Sequence, residues 1–431
     1  MACLPSLPMR SMRYLIWLFT LAVLASALAG CGGGGGGGTA TIPSTFVSNQ
    51  PNAVQLTVDN GPASFTGYNV NRLFTSVTIC ESSSTAHCQT IDHVLVDTGS
   101  TGLRLLYTAL DHTLNLNPVA AIAPLQPTLS GQPLLNCVQF ADGSYAFGST
   151  VLADVTLGPQ TASNLPIQVI ANPAYATLLP NCATGFTAIN TVNDLGANGI
   201  LGVGLYTTDC GTGCTTNRTN NYYYACAPGT CTTPTGAMGT TASLAQQLAN
   251  PVAHFISADT NGVVIDLPAV PAPGTTSIIG QMLFGVGTQT NNATTGTTLL
   301  HTTSQGYINT VLSGATLSSS FIDSGSNGLY FGTNTLTRCN GGISVFYCPA
   351  SDTSVNVTLA GTNAVSTPVT FVAGHAYNLF ASGYSVLPTL SGPIGNTTSF
   401  DWGLPFFYGR RVFFGIEGRS TPLGNGPLVA F

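Results

Sequence analysis

Two short segments of the chain place an aspartate directly after an apolar run and follow it with a glycine between hydroxyl residues. The first is VLVDTGS, residues 94–100, and the second is FIDSGS, residues 321–326. The chain carries only 15 acidic residues, so two in the same frame are hard to assign to chance. If the two turns meet, Asp97 and Asp323 cannot both ionise and share one proton. Such a pair can act as base on a water molecule and as acid toward a carbonyl oxygen.

The residues beside each aspartate suit a buried carboxylate, which is costly unless it is protonated or hydrogen-bonded. Gly99 and Gly325 allow the backbone to turn sharply and approach the acid. The hydroxyls that can donate to the carboxylates or to nearby backbone belong to Thr98, Ser100, Ser324 and Ser326. Each frame therefore predicts a buried strand, a tight turn and a second strand. Two such frames, about half a chain apart, indicate two lobes related by a pseudo-twofold axis.

The elements around the frames are typical of an all-β protein, since short apolar or alternating runs are bounded by Gly, Asn, Pro or Ser. Examples of these runs are Val54–Val58, Leu73–Ile79, Val151–Leu157, Val263–Leu267 and Val355–Leu359. The spacing of Leu244 and Leu248 predicts one helix over Ser243–Ala249. Residues 206–240, rich in Thr, Asn, Tyr and Cys, are predicted to form a disulfide-stapled surface insertion.

Composition excludes some classes of partner. The chain has 431 residues, of which 44% are hydrophobic, so it can bury a sizeable core. Only 6% are charged, against about 25% in typical soluble domains. The chain contains no lysine, its formal net charge is −6, and it has no basic patch. We therefore expect no nucleic-acid partner.

The N-terminus has the pattern of an export signal, in which Arg10 and Arg13 precede an apolar run that is short for a membrane span. The following LAGC, residues 28–31, resembles a bacterial lipobox. We predict a signal peptide over 1–30 and lipidation of Cys31. The alternative is a plain secretion signal cut near the same place.

A run of glycines after Cys31 predicts a flexible tether over 31–52, because polyglycine cannot pack. Together, signal and tether predict a protein exported to the bacterial cell envelope and anchored to a membrane by lipid. The periplasm and the outer surface are both compatible with this pattern.

The cysteines indicate disulfides rather than a metal site. Twelve are present, and setting aside Cys3 and Cys31 leaves an even number, as expected of a disulfide-bonded exported chain. The predicted pairs are Cys80 with Cys88, Cys339 with Cys348, and by elimination Cys137 with Cys182. Cys210, Cys214, Cys226 and Cys231 crowd one segment and their connectivity stays open. Zinc is the weaker alternative for these four, because they lack paired C-x-x-C spacing. We expect no metal and no cofactor.

The two aspartate frames resemble the Asp-Thr/Ser-Gly-Thr/Ser motifs of pepsin-like aspartic peptidases. Phe140 to Tyr145, FADGSY, resembles the flap hairpin of that family, and Asn198 to Gly204, NGILGVG, resembles the loop beneath the first catalytic turn. Ser243 to Leu248 resembles the helix that follows. Trp402-Gly403 and the strand Arg411–Ile416 fit the C-terminal counterparts. The resemblance extends from about residue 53 to the end of the sequence.

This resemblance implies an all-β, bilobal pepsin-like fold with a cleft between an N-terminal lobe, 53–270, and a C-terminal lobe, 271–431. It implies that Asp97 and Asp323 form a catalytic dyad, that Thr98 and Ser324 cross-brace the two turns, and that Ser100 and Ser326 orient the carboxylates. It places substrate-binding flap residues at Phe140, Asp142, Gly143 and Ser144.

Three positions depart from the family pattern. Phe140 stands where the flap usually has tyrosine, Arg104 stands where tryptophan is common, and Asp401 replaces an apolar residue before Trp402.

The leading function predicted from these features is an aspartic endopeptidase, monomeric, acting on a peptide or protein substrate. One alternative is a catalytically silent pepsin-like lipoprotein that binds peptide or glycan in the cleft. Another is a structural surface lipoprotein. A serine hydrolase is disfavoured because no G-x-S-x-G elbow is present.

Overall fold

The computed structural model of the protein describes residues 44–47, 49–125, 127–175, 180–229, 231 and 238–431. The predicted signal peptide, Cys31 and the glycine run lie outside these residues. The described end of the predicted tether contacts the body of the protein, since Thr45 donates a hydrogen bond to the Asp266 carbonyl at 2.9 Å and Asn52 is buried. Within the described part of the chain, no helix combines the length and apolar character needed to cross a membrane.

The described chain is dominated by strands. They are β1 (Ala53–Val58), β2 (Leu73–Cys80), β3 (Cys88–Asp97), β4 (Thr101–Leu106), β5 (Asn117–Pro118), β6 (Ala123–Pro124), β7 (Leu134–Gln139), β8 (Ser144–Leu157), β9 (Gln160–Ile170), β10 (Thr187–Ala188), β11 (Gly199–Val203), β12 (Tyr223–Ala225), β13 (Met238–Thr241), β14 (Gly262–Asp266), β15 (Ile278–Phe284), β16 (Leu299–His301), β17 (Ile308–Leu312), β18 (Ala315–Ile322), β19 (Leu329–Phe331), β20 (Thr353–Ala360), β21 (Ser366–Ala373), β22 (Ser391–Gly392), β23 (Phe400–Trp402), β24 (Arg411–Gly415), β25 (Ser420–Thr421), β26 (Gly424–Asn425) and β27 (Leu428–Ala430).

Helices are short and few among these residues. They are α1 (Pro180–Ala183), α2 (Val192–Leu195), α3 (Gly213–Thr216) and α4 (Ala376–Ala381). Single 3₁₀ turns span Tyr107–Ala109, Pro127–Leu129, Pro173–Tyr175, Pro251–His254, Thr290–Asn292, Gly341–Ile343 and Leu404–Phe406. Each of the five apolar runs singled out in the sequence lies in a strand, with bounds that differ by two residues or fewer except at the start of β8.

The predicted helix over Ser243–Ala249 is wrong, because the segment forms a single turn, a bend and an isolated β-bridge from Ala249 to Thr208. One bond of helical spacing forms, from the Gln247 N–H to the Ser243 carbonyl at 3.2 Å, but tertiary bonds take over after it. The Leu248 N–H donates to the Tyr223 hydroxyl at 2.8 Å, and the Gln247 side chain donates to two backbone carbonyls. A seven-residue segment is also too short to be helical on its own. Leu248 is buried whereas Leu244 is exposed, so the two do not share a core-facing stripe.

Each aspartate frame is built into the same three-strand unit. In the first, β11 lies between β3, to which it is parallel, and β4, to which it is antiparallel. In the second, β23 lies between β18, again parallel, and β19, again antiparallel. A fourth strand runs parallel to the outer edge of each unit, β9 beside β4 and β22 beside β19. The two units therefore repeat one topology, as a pseudo-twofold pair requires.

Strands from both ends of the chain join the two units. β1 pairs with β15, β15 with β14, β14 with β24, β24 with β27 and β27 with β16. The largest hydrophobic cluster runs through both halves, including Val96 beside the first frame and Ile322 beside the second. The predicted all-β, bilobal, pepsin-like architecture is confirmed. The lobe boundary at residue 270 stays a prediction.

The Cys-rich segment is more closely integrated into the fold than a surface insertion. β12 pairs with β7, and β13 pairs with β6 and β12, so the segment extends the sheet that carries the predicted flap. Tyr223 is completely buried, and its hydroxyl donates to Asp209 at 2.6 Å. Burial of this aromatic side chain gives the segment its own hydrophobic contacts with the sheet.

Five disulfides staple the described chain, namely Cys80–Cys88, Cys137–Cys182, Cys210–Cys214, Cys226–Cys231 and Cys339–Cys348. The three predicted pairs are confirmed, and the four crowded cysteines pair with their nearest neighbours in sequence. Disulfides of this number are characteristic of proteins outside the reducing cytosol, in an extracellular or periplasmic space.

Candidate active site

The two aspartates meet where the two lobes touch. Asp97 ends β3 and Asp323 follows β18. A methyl group added to Gly99 would lie 2.8 Å from the Asp323 Cγ, and one added to Gly325 would lie 2.8 Å from the Asp97 Oδ1. Each carboxyl thus packs against the glycine of the opposite turn, so the two carboxyls are close neighbours. Only glycine permits this approach.

Reciprocal hydrogen bonds hold the two turns together. The Thr98 N–H donates to the Ser324 Oγ at 3.1 Å, and the Ser324 N–H donates to the Thr98 Oγ1 at 2.9 Å. The Ser324 hydroxyl continues to the Val96 carbonyl at 2.7 Å, and the Thr98 hydroxyl to the Ile322 carbonyl at 3.4 Å. Because both residues are buried, the bonds fix one lobe against the other at the site itself.

The two carboxylates receive equivalent donors. Asp97 accepts from the Gly99 N–H at 2.8 Å and from the Ser100 hydroxyl at 2.5 Å. Asp323 accepts from the N–H of Gly325 at 2.7 Å and from the hydroxyl of Ser326 at 3.0 Å. The six residues that the sequence places beside the aspartates are therefore all brought together.

The pair holds a proton more tightly than an isolated carboxyl does. Burial raises the pKa of Asp323 well above its usual range, and the nearby charges of Asp97 and Asp401 raise it further. Two carboxyls in contact cannot both ionise easily, so the pair retains one proton between them. Asp323 is half-buried, whereas Asp97 is buried.

Asp401 is a third carboxyl at the site, which the sequence showed only as a departure from the family pattern. Its Oδ2 lies 2.7 Å from the same Ser326 hydroxyl that contacts Asp323. Burial raises the pKa of Asp401 to about 8, an effect that the Ser326 hydrogen bond opposes and the Asp97 charge reinforces. The signal available in the sequence was its place directly before Trp402-Gly403, in the counterpart of the loop that contains Gly199 to Gly202.

The predicted flap residues form the turn between β7 and β8. The Phe140 N–H donates to the Ser144 carbonyl at 2.8 Å, and the Gly143 N–H donates to the Phe140 carbonyl at 3.1 Å. Asp142 accepts from both the N–H and the hydroxyl of Ser144, at 2.9 and 2.6 Å. Gly143 has a φ of +84°, which suits glycine in this turn. The Phe140 ring packs against a hydrophobic cluster of the N-terminal lobe that includes Leu95.

Arg104, the second departure, is a buried structural residue. Its side chain is 1% exposed and donates to the Asn136 and Gln168 side-chain oxygens at 2.7 and 2.8 Å. It also forms an ion pair with Asp209 at 3.4 Å. Arg104 therefore links β4 to the Cys-rich segment and presents no surface to a ligand.

These features define a class of site: a carboxyl pair that shares a proton at the junction of two β lobes of pepsin-like fold. Within the described ranges, no group of three or more His, Cys, Asp or Glu side chains is arranged to hold a metal ion. The arrangement can take a proton from one bound group and give a proton to another.

The chain belongs to the family described as "Protein of unknown function (DUF3443)", whose family model matches residues 48–431. No curated protein matches it. Among solved structures, it is similar to an aspartic proteinase from Irpex lacteus, with 15% sequence identity and a TM-score of 0.44. That similarity covers 88% of this chain and 96% of the other.

Proposed function

We propose that this protein is an aspartic endopeptidase in which Asp97 and Asp323 activate a water molecule to hydrolyse peptide bonds. The observation that carries the proposal is the close approach of two carboxyls, each packed against the glycine of the opposite turn. The raised pKa of Asp323, caused by its burial and by the neighbouring Asp97 charge, supports a proton shared by the pair. The reciprocal bonds of Thr98 and Ser324 support it, because fixed geometry is what a positioned acid–base pair requires.

In the proposed reaction, the ionised carboxyl takes a proton from water as the water oxygen attacks the peptide carbonyl carbon. The protonated carboxyl gives its proton to the carbonyl oxygen, which forms a neutral tetrahedral diol. The carboxyl that took the water proton then gives it to the peptide nitrogen, and the C–N bond breaks as one diol hydroxyl returns its proton to the other carboxyl. A carboxylic acid and an amine leave, and the pair again holds one proton. No covalent bond to the protein forms at any step.

The alternative of a silent binding module is not better supported than the enzyme. One of the two departures that motivated it, Arg104, is buried in an internal ion pair and cannot contact a ligand. Both aspartates and all four flanking hydroxyls are in place. Binding without cleavage is therefore kept as an outcome of the test.

The test is cleavage of a mixed peptide library, read by mass spectrometry from about pH 3 to about pH 8. We expect cleavage to fall in strong acid, where both carboxyls are protonated, and to fall again when the shared proton leaves. Since the pKa of Asp323 is raised, that second fall should lie above the usual carboxyl range. Intact peptides at every pH, with the protein shown to be folded, would contradict the proposal.

A methyl group at Gly99 should separate the dyad. Gly99→Ala places a Cβ 2.8 Å from the Asp323 Cγ, so one carboxyl must move by several tenths of an ångström. We expect kcat/KM to fall by about 10²-fold, the order of loss that small misplacements cause. Gly395→Ala is the matched control, because its methyl would have no neighbour within 4 Å. Equal activity of the two variants would show that carboxyl contact is not required.

We extend the proposal to the setting of the protein. Its disulfides indicate an exported protein. Anchoring through a lipid on Cys31, a peptide or protein as substrate, and a monomeric state are proposals that rest on the sequence.

A further inference from the structure

Asp401 breaks the symmetry between the two lobes. In the first unit, Ile200 pairs with Leu95 on β3 and with Arg104 on β4. In the second, Asp401 pairs with Phe321 on β18 and with Tyr330 on β19. Asp401 therefore occupies the position that corresponds to Ile200. An apolar residue at 3% exposure in one lobe is replaced by a carboxyl at 6% exposure in the other.

The surroundings of Asp401 favour its neutral form. Its Oδ1 is buried and has no hydrogen-bond partner in the described structure. No arginine or histidine of the described residues forms an ion pair with it. The charge of Asp97 raises the pKa of Asp401, and the charge of Asp401 in turn raises the pKa values of Asp323 and Tyr330. The pKa of Tyr330 is also lowered by the charge of Arg72 and raised by that of Asp142. A buried charge without a cation is costly, so the protonated acid is the stable form.

The Ser326 hydroxyl connects Asp401 to the dyad. Its Oγ lies 2.7 Å from the Asp401 Oδ2 and 3.0 Å from the Asp323 Oδ2. A hydroxyl carries one hydrogen and can donate to only one of these oxygens. A protonated Asp401 completes the chain, since its O–H can donate to Ser326 while the Ser326 hydrogen points to Asp323. Ser100, the equivalent hydroxyl in the other lobe, donates to Asp97 at 2.5 Å.

We propose that Asp401 is a positioning residue of the dyad: a third carboxyl that keeps a proton within reach of Asp323 through the Ser326 hydroxyl and extends the activity toward neutral pH. The effect on the pH range of activity rests on the proposed peptidase function. The claim that Asp401 holds a proton next to the dyad does not depend on it. In the transfer itself, the Asp401 O–H bond breaks as an O–H bond forms on Ser326, and the original Ser326 hydrogen moves to the Asp323 Oδ2. One proton passes to the dyad and no electrons are exchanged with another molecule.

The direction of the pH effect follows from two properties of Asp401: the proton that it can pass through Ser326 and the negative charge that it leaves behind. While Asp401 is neutral, it adds no repulsion to the dyad. Once it ionises, its negative charge favours retention of the proton on Asp323. An asparagine at this position can donate to Ser326 but can neither supply a proton nor become negative. The dyad of Asp401→Asn therefore loses its proton at lower pH than the natural dyad does.

The first measurement is the pH profile of kcat/KM for Asp401→Asn. We expect its alkaline limb to move toward acid by about one pH unit, the scale of a like-charge effect between close carboxyls. The acid limb should stay in place, because Asp401 is neutral there in the natural protein. Asp259→Asn is the control, since it removes another buried carboxyl, which is bonded to Thr288 and Gln289 instead. If kcat/KM of Asp401→Asn is lower by the same factor at every pH, Asp401 has a merely structural role and the inference is overturned.

A double-mutant comparison tests the path through Ser326. In a Ser326→Ala background, Asp401→Asn should move the alkaline limb clearly less than it does in the natural background. An equal shift in both backgrounds would mean that the charge of Asp401 accounts for the whole effect and that the Ser326 hydroxyl passes no proton, which would overturn the inference.

A second readout needs no activity. Infrared difference spectra of the protein, taken as the pH is raised through about 8, should show loss of a protonated-carboxyl band that is missing from Asp401→Asn. Absence of the band from the natural protein would overturn the inference whether or not peptides are cleaved. If the band titrates but no peptide is cleaved, the proposed function fails and Asp401 stands as a proton-holding carboxyl.

Discussion

Asp97→Asn and Asp323→Asn should each lower kcat/KM for peptide cleavage by at least about 10³-fold, within the range that positioned acid–base groups contribute. Asparagine keeps the shape and can still accept the Gly99 or Gly325 N–H bond, at 2.8 or 2.7 Å in the natural protein. It cannot exchange a proton. The loss should therefore come without unfolding, which circular dichroism and thermal unfolding will check.

The double variant sharpens this prediction. If the two carboxyls work as one proton-sharing unit, removing the second after the first should cost little more, because groups that act together are strongly non-additive. If the loss of kcat/KM in the double variant equals the product of the losses in the two single variants, the aspartates act as independent groups and not as a dyad. A variant of either aspartate that keeps full activity would remove the proposed mechanism.

Local pattern predicted the parts of the site that are local. An apolar run, an aspartate, a glycine and two hydroxyls lie within one turn, so the residue types alone indicate a strand followed by a turn with donors aimed at the acid. The same frame at Asp97 and Asp323 then indicated that the turns are equivalent. The structure adds the contact between them, which depends on the β strands that join the lobes.

The role of Asp401 could not be read from its neighbours in sequence, because it depends on strand register. Only the pairing of β23 with β18 places its carboxyl within reach of Ser326, many residues earlier in the chain. The same limit applies to Arg104. Its spacing from Asp97 equals that of Tyr330 from Asp323, yet the partners that make it buried come from β7, β9 and the Cys-rich segment.

The helix predicted at Ser243–Ala249 failed for a related reason. Its leucine spacing fits a helix, but Leu248 is held by the Tyr223 hydroxyl from another part of the chain. Tertiary hydrogen bonds decide the conformation of so short a segment. Strand predictions fared better, because alternation over five or more residues reflects burial on one face directly.

Arg104→Met should destabilise the protein by about 3–5 kcal/mol, the usual cost of leaving a buried charge without its partner. Asp209 would remain almost fully buried, bonded to the Tyr223 hydroxyl at 2.6 Å and to the Asn136 amide at 2.9 Å. Its pKa is already raised by burial, which outweighs the lowering effect of Arg104. Without the Arg104 guanidinium, the Asp209 carboxylate must take up a proton or draw in water. Either change lowers the free energy of unfolding. Denaturant unfolding measures the loss.

Two further variants separate charge from packing. Adding Asp209→Asn to Arg104→Met should restore much of the lost stability, because the uncompensated charge disappears while the hydrogen bonds to Tyr223 and Asn136 can be kept. Arg218→Met, at an exposed arginine of the same segment, should change stability by no more than about 0.5 kcal/mol. If the double variant is as unstable as Arg104→Met alone, the arginine contributes through its aliphatic packing and its bonds to Asn136 and Gln168. In that case the ion pair with Asp209 does not anchor the Cys-rich segment.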